Sequence, residues 1–110
     1  MDILFDGKLG DLFNSQKQLR RAHGEARTKL IARRLDQLRA APSLLTMRSL
    51  PGRLHELRGD RSGVLSINLD GPYRLLMEPA NDPVPRLADG GLDWSRVTAI
   101  CIVGVEDTHD

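Results

Sequence analysis

An α/β domain of the α+β kind is the fold class this sequence predicts, with an N-terminal strand and helices packed on a small, twisted, mainly antiparallel sheet. Three observations predict it. Between Glu25 and Ala40 apolar residues recur at three-to-four spacing, the mark of an amphipathic helix. Between Leu50 and Pro79 three short strand-like runs are separated by Gly59-Asp60 and Asp70-Gly71, turn signals of an antiparallel meander. Val97 to Val105 (VTAICIVGV) is continuous and rich in β-branched residues, the composition of a fully buried strand. The 110 residues leave room for one core, so residues 1–110 read as one domain.

The elements follow in order. Asp2 to Phe5 is apolar inside and closed by Asp6-Gly7, a first strand. Lys8 to Phe13 places Leu9, Leu12 and Phe13 on one face of a short helix. Ser15 with Gln18 is a capping-box pattern, and the helix it opens runs to about His23 and stops at Gly24. In the long helix 25–40, Ala26, Leu30, Ile31, Leu35 and Leu38 form the apolar face; Arg27, Lys29, Arg33, Arg34 and Gln37 lie opposite. That basic face reads as solvated, or more sharply as a seat for an acidic partner segment. Ala41-Pro42-Ser43 ends the helix, and Leu44 to Leu50 is a connecting turn or helix. Strands follow from about Leu54, over Val64–Leu69, and over Tyr73–Met77 up to Pro79. Asn81 to Trp94 has no periodicity and reads as an inserted loop.

Net charge is +1, but it is unevenly divided. Residues 1–61 hold thirteen Lys/Arg against seven Asp/Glu, and residues 62–110 hold three against eight. Arg outnumbers Lys thirteen to three, which favours planar recognition of phosphate or carboxylate. Cys101 is the only cysteine, so no intrachain disulfide and no cysteine-based zinc pattern is available. No apolar run reaches membrane-spanning length, and the N-terminus lacks a signal-peptide pattern. A cytoplasmic protein without a membrane partner is expected.

The chemistry-bearing stretch is residues 50–79. Arg53 and His55 are two apart and share a strand face, Arg58 and Arg61 lie near that strand's end, and Arg74 follows the hairpin. His109 trails the last strand. Such a cluster suits RNA cleavage by attack of a 2′-OH on the neighbouring phosphate. That reaction needs a proton acceptor, a proton donor and cations aimed at the developing charge. Histidine serves either proton transfer and arginine serves as the clamp. A hydrogen-bonded strand histidine beside solvated arginines fits the same residues.

The segments LPGRLHELRGDRSG, LDGPYRLLMEPA and VEDTH strongly resemble the HigB-like killer-protein branch of the RelE/ParE toxin superfamily, and residues 5–44 resemble it more weakly. The resemblance implies a RelE-like compact domain acting as the toxin of a type II toxin-antitoxin system. It implies a ribosome-dependent mRNA endonuclease, an mRNA interferase, that works without metal or other cofactor. The implied partners are a cognate HigA-like helix-turn-helix antitoxin, the ribosome and mRNA, with operator DNA reached only through the antitoxin. Carried across by motif, His55, Arg74, Asp107 and His109 are the catalytic set; Arg53, Arg58, Arg61 and Tyr73 bind substrate. Two positions depart from the pattern. Arg58 stands where many relatives have Lys, keeping the charge without a usable proton, and Thr108 stands where active members often have Tyr, a base-stacking platform. Two other readings compete: a non-enzymatic, ParE-like inhibitor of DNA gyrase, and a weakened toxin serving as an antitoxin-binding co-repressor.

Overall fold

Chain order sets the helices first and most of the sheet last. The computed structural model describes residues 1–108. Strand β1 (Asp2–Phe5) leads into helices α1 (Leu9–Phe13), α2 (Gln16–His23) and α3 (Glu25–Ala40). Strands β2 (His55–Glu56), β3 (Leu65–Asn68), β4 (Tyr73–Pro79) and β5 (Ala99–Asp107) follow. Short 3₁₀ turns form at Leu44–Ser49, Gly59–Arg61 and Trp94–Arg96. Ser15 caps α2, its Oγ accepting from the Gln18 amide at 3.2 Å. The other half of the expected capping box does not form, because the Ser15 amide already donates to Leu12 O at 3.3 Å. At the far end, the Met1 ammonium donates to the carbonyls of Leu38, Arg39 and Ala41, closing α3 with positive charge where its dipole is negative.

The sheet runs in the order β1-β5-β4-β3-β2. β1 lies parallel to β5 and the remaining pairs are antiparallel. The result is a small α+β domain with a mixed, mostly antiparallel, twisted sheet, and its radius of gyration is 13.7 Å. On one face Ile67, Leu75, Met77, Ile100 and Ile102 pack against Ile31, Leu35 and Leu38 of α3 in a single buried cluster. Between Leu76 and Met77 the register slips: Leu76 pairs with Gly104 and Met77 with Ile102, so Val103 is an extra, unpaired residue. This is a β-bulge.

Three expectations need correction. β5 is not fully buried: within it only Ile100 and Ile102 are, while Cys101 and Val103 are partly exposed. Its apolar run reflects a central position between β1 and β4, and among the described residues the helices layer one side of the sheet only. Leu4, in register with Cys101 and pointing the same way, is 51% exposed.

The faces of α3 also differ from their expected assignment. Ala26 is exposed, whereas Arg34 is buried at 8% exposure and Arg27 is half-buried. Arg34 Nε donates to Asn68 O at 3.2 Å and its Nη1 to Gln37 Oε1 at 3.3 Å. Burial, with the charge of Arg33, lowers the Arg34 pKa from its ordinary value. Those two guanidinium groups reach the sheet rather than solvent. Gly52 makes room for Arg34: at φ +108 it lies so close that an added Cβ would stand 2.7 Å from Ile67 Cγ1 and 3.0 Å from Arg34 Nε.

The stretch 81–94 is more than an inserted loop. It buries Leu92 and Trp94 in the core, and the Trp94 indole donates to Glu56 Oε2 at 3.1 Å. Asp93 then caps the turn that returns the chain to β5. No helix among the described residues is long and apolar enough to cross a membrane.

Candidate functional site

Register decides which side chains share the open face of the sheet. His55 pairs with Ser66, which pairs with Leu76 and then Gly104; one step along, Asn68 pairs with Arg74 and Arg74 with Glu106. Leu75 and Met77 point to the helices, so these alternating positions point away from them. His55, Arg74 and Glu106 therefore face the same way from three strands. Sheet spacings put the Cα atoms of His55 and Arg74 about 12 Å apart.

Arg61 enters this face from the turn between β2 and β3. Its Nη1 and Nη2 donate to Oε1 and Oε2 of Glu106, both at 2.7 Å, in a two-pronged bridge that spans β3 and β4. The bridge lowers the Glu106 pKa and raises that of Arg61, through the hydrogen bonds first. Arg74 Nη1 donates to the carbonyls of Gly71 and Tyr73, each at 2.9 Å. That hold fixes the guanidinium beside the hairpin and leaves its Nε and Nη2 without a partner among the described residues.

The other cations flank the edge strand β2 rather than lying in it, so Arg53 does not share a strand face with His55 as expected. Arg53, with φ +51, and Arg58 form no ion pair among the described residues. With His55, Glu56 and Leu57 they line an open cleft of about 550 Å³. His55 Nδ1 lies 3.0 Å from Arg53 O. A carbonyl only accepts, so Nδ1 carries the proton and Nε2 of the neutral ring is the acceptor.

Tyr73 is not part of this face. It lies on the helical side, where the Arg27 guanidinium sits 3.3 Å above its ring and also grips Asp70 through Nε and Nη2 at 2.9 and 3.1 Å. The expected substrate-binding tyrosine is thus covered by an arginine of α3. Nearby His23 has its pKa lowered by burial and by the Arg27 charge, against a raising effect of Asp70. Asp107, expected in the catalytic set, is exposed at the end of β5 opposite Tyr73, and the alternation that puts Glu106 on the open face turns it to the other side. Thr108 is tied to the hairpin, its amide and Oγ1 both donating to Pro72 O, at 2.9 and 2.7 Å. His109 lies outside the described residues.

The structure thus brings His55, Arg61 and Arg74 to one face, with Arg53 and Arg58 at its edge. Sequence reasoning missed Glu106, the residue that occupies Arg61. Its acidic neighbour Asp107 was visible, but the facing of both depends on the bulge at Val103, which no local pattern announces. A second cleft, of about 530 Å³, lies between Glu56, Glu78, Arg86 and the Gly90–Leu92 segment, and none of the expected site residues lines it. Among the described residues no group of three His, Cys, Asp or Glu is gathered to hold a metal ion. No protein-family model matches the chain, and no curated protein matches it.

Proposed function

We propose that this protein is the toxin of a type II toxin-antitoxin pair, RelE-like in fold, and a ribosome-dependent endonuclease of messenger RNA. One observation carries the reading: His55, Arg61 and Arg74, separated in sequence, share the open sheet face, with Arg53 and Arg58, which form no ion pair among the described residues, at its edge. A single strand laid across that face meets both a proton acceptor and cations. The resemblance of residues 50–63, 69–80 and 105–109 to HigB-like killer proteins supplies the rest.

In this mechanism His55 Nε2 accepts the 2′-OH proton as the oxygen attacks phosphorus. The Nε and Nη2 of Arg74, without a partner among the described residues, face the charge that grows on the phosphate oxygens. His109, beyond the described residues, returns a proton to the departing 5′ oxygen. Arg53 and Arg58 bind flanking phosphates. A cognate helix-turn-helix antitoxin would keep the activity in check.

The test is induction in a bacterial host with and without the antitoxin, followed by primer extension on cellular messages. Growth arrest with cuts at codon boundaries is expected. Arg74→Ala and His55→Ala, confirmed as folded, should each lower cleavage by about 10²-fold or more. Intact messages during arrest, or full toxicity in both variants, would overturn the assignment.

A further inference from the structure

The open face holds two kinds of cation. Arg53 and Arg58 line the edge cleft with no ion pair among the described residues. Arg61 is already occupied, both prongs of its fork closed on Glu106 at 2.7 Å. A carboxylate held in this two-pronged way presents the same two-oxygen edge that a phosphate would present. Glu106 also stands in register with Arg74, on the same side of the sheet. An anion approaching Arg74 therefore meets a negative charge beside it, and one approaching Arg61 must first displace that charge.

We infer that Glu106 is a specificity-determining residue: it fills the Arg61 fork so that only a single-stranded RNA already anchored at Arg53 and Arg58 can displace it. The inference rests on the reading of this face as one that grips RNA. A short anion gains one contact and loses the ion pair, so it exchanges one partner for another. A longer strand is different. Phosphates bound at the edge cleft hold the next phosphate at high local concentration near Arg61, and displacement of Glu106 becomes intramolecular. Edge cleft and Arg61 are near enough in the chain for this, since only Gly59 and Asp60 separate Arg58 from Arg61. The bridge is itself exposed, at 41% for Arg61 and 36% for Glu106, so it is weak enough to open in exchange for a phosphate. Glu106 thus discriminates against mononucleotides and free phosphate, anions that are abundant wherever RNA is.

The experiment compares the whole protein with Glu106→Gln, an isosteric change, by titrating a dinucleotide with two phosphates and a single-stranded RNA hexamer at fixed salt. Circular dichroism and a thermal melt establish that both proteins are folded. Wild type should prefer the hexamer strongly. Glu106→Gln should bind the dinucleotide about two- to fivefold more tightly, the range an exposed ion pair commands, with a smaller gain for the hexamer. Equal gains for both lengths, no gain for either, or no binding of RNA by either protein would overturn the inference. Arg61→Gln serves as a second variant: it should weaken the hexamer by a larger factor than the dinucleotide, and the reverse pattern would count against the role given to Glu106. Message cleavage in cells is read separately. Cleavage without length discrimination defeats this inference alone, whereas length discrimination without cleavage defeats only the nuclease reading.

Discussion

Two arginine forks grip two carboxylates on opposite faces of the same sheet, and they differ in everything but that chemistry. Arg27 holds Asp70 on the helical side; Arg61 holds Glu106 on the open side. The Arg27 side chain is only 18% exposed and lies flat on the Tyr73 ring at 3.3 Å. It ties α3 to the β3–β4 hairpin, two elements that must stay together for the fold to exist. Arg61 has no ring beneath it among the described residues, is more than twice as exposed, and joins a connecting turn to a strand. The same pair is thus a tie on one side and a closure that can be exchanged on the other. Surroundings, not bond lengths, separate them: the shorter hydrogen bonds belong to the more exposed pair.

The widest gap should open on truncation. Arg27→Ala removes two charge-assisted hydrogen bonds and a cation–π contact, and we expect a loss of about 2 kcal/mol, or roughly 8 °C in Tm. Arg61→Ala should melt close to wild type. Equal losses in a paired thermal melt would erase the distinction between the two pairs.

Acid titration should sharpen it next. Asp70 and Glu106 are both held below the usual carboxylate range by their arginines, so each contributes stability above its unfolded pKa that is lost as pH falls through its lower folded value. His23 adds a separate phase on the helical side only. Burial and Arg27 lower its pKa, so it favours the fold above its ordinary value of 6.5 and ceases to do so as pH falls through the depressed folded one. Denaturant melts from pH 7 to pH 5 should show a decline that His23→Gln flattens and Glu106→Gln does not.

The smallest effect is that of salt. Raising sodium chloride from about 0.1 to 1 M shortens the screening length from about 10 to 3 Å, and should shrink whatever stability difference separates Arg61→Ala from wild type more than the Arg27→Ala difference.

The elements themselves were legible in the sequence because their signals are local. Ser15, Gly24 and Pro42 bound the helices, Asp70-Gly71 turns the hairpin, and helix α3 has the expected limits. The partnership of faces was much less legible. Arg27 and Arg34 sit on the stripe that composition assigns to water, yet both reach across to the β3–β4 hairpin, which lies more than thirty residues away. β-branched residues announce β5 but cannot say whether a second layer covers its other side. Trp94 and Leu92 looked like loop because a core built from isolated residues on an irregular segment has no period. Of the site, the arginines and His55 were legible as a motif; Glu106, Tyr73 under Arg27, and the exposed position of Ala26 were not.

The extra residue at Val103 sets a parity. Sheet faces alternate residue by residue, so every position after the bulge is turned over relative to an unbroken count. Were Val103 paired opposite Leu76 in an unbroken ladder, Gly104 would stand opposite Leu75, Val105 opposite Arg74, and Glu106 opposite Tyr73. The acidic side chain would then point toward Arg27 and the helices, an apolar valine would face outward, and Arg61 would close on nothing. The chemical identity of a whole strand end thus hangs on one residue being left out of the ladder, and drawing Val103 into it would exchange the two faces of the tail without altering any residue in it.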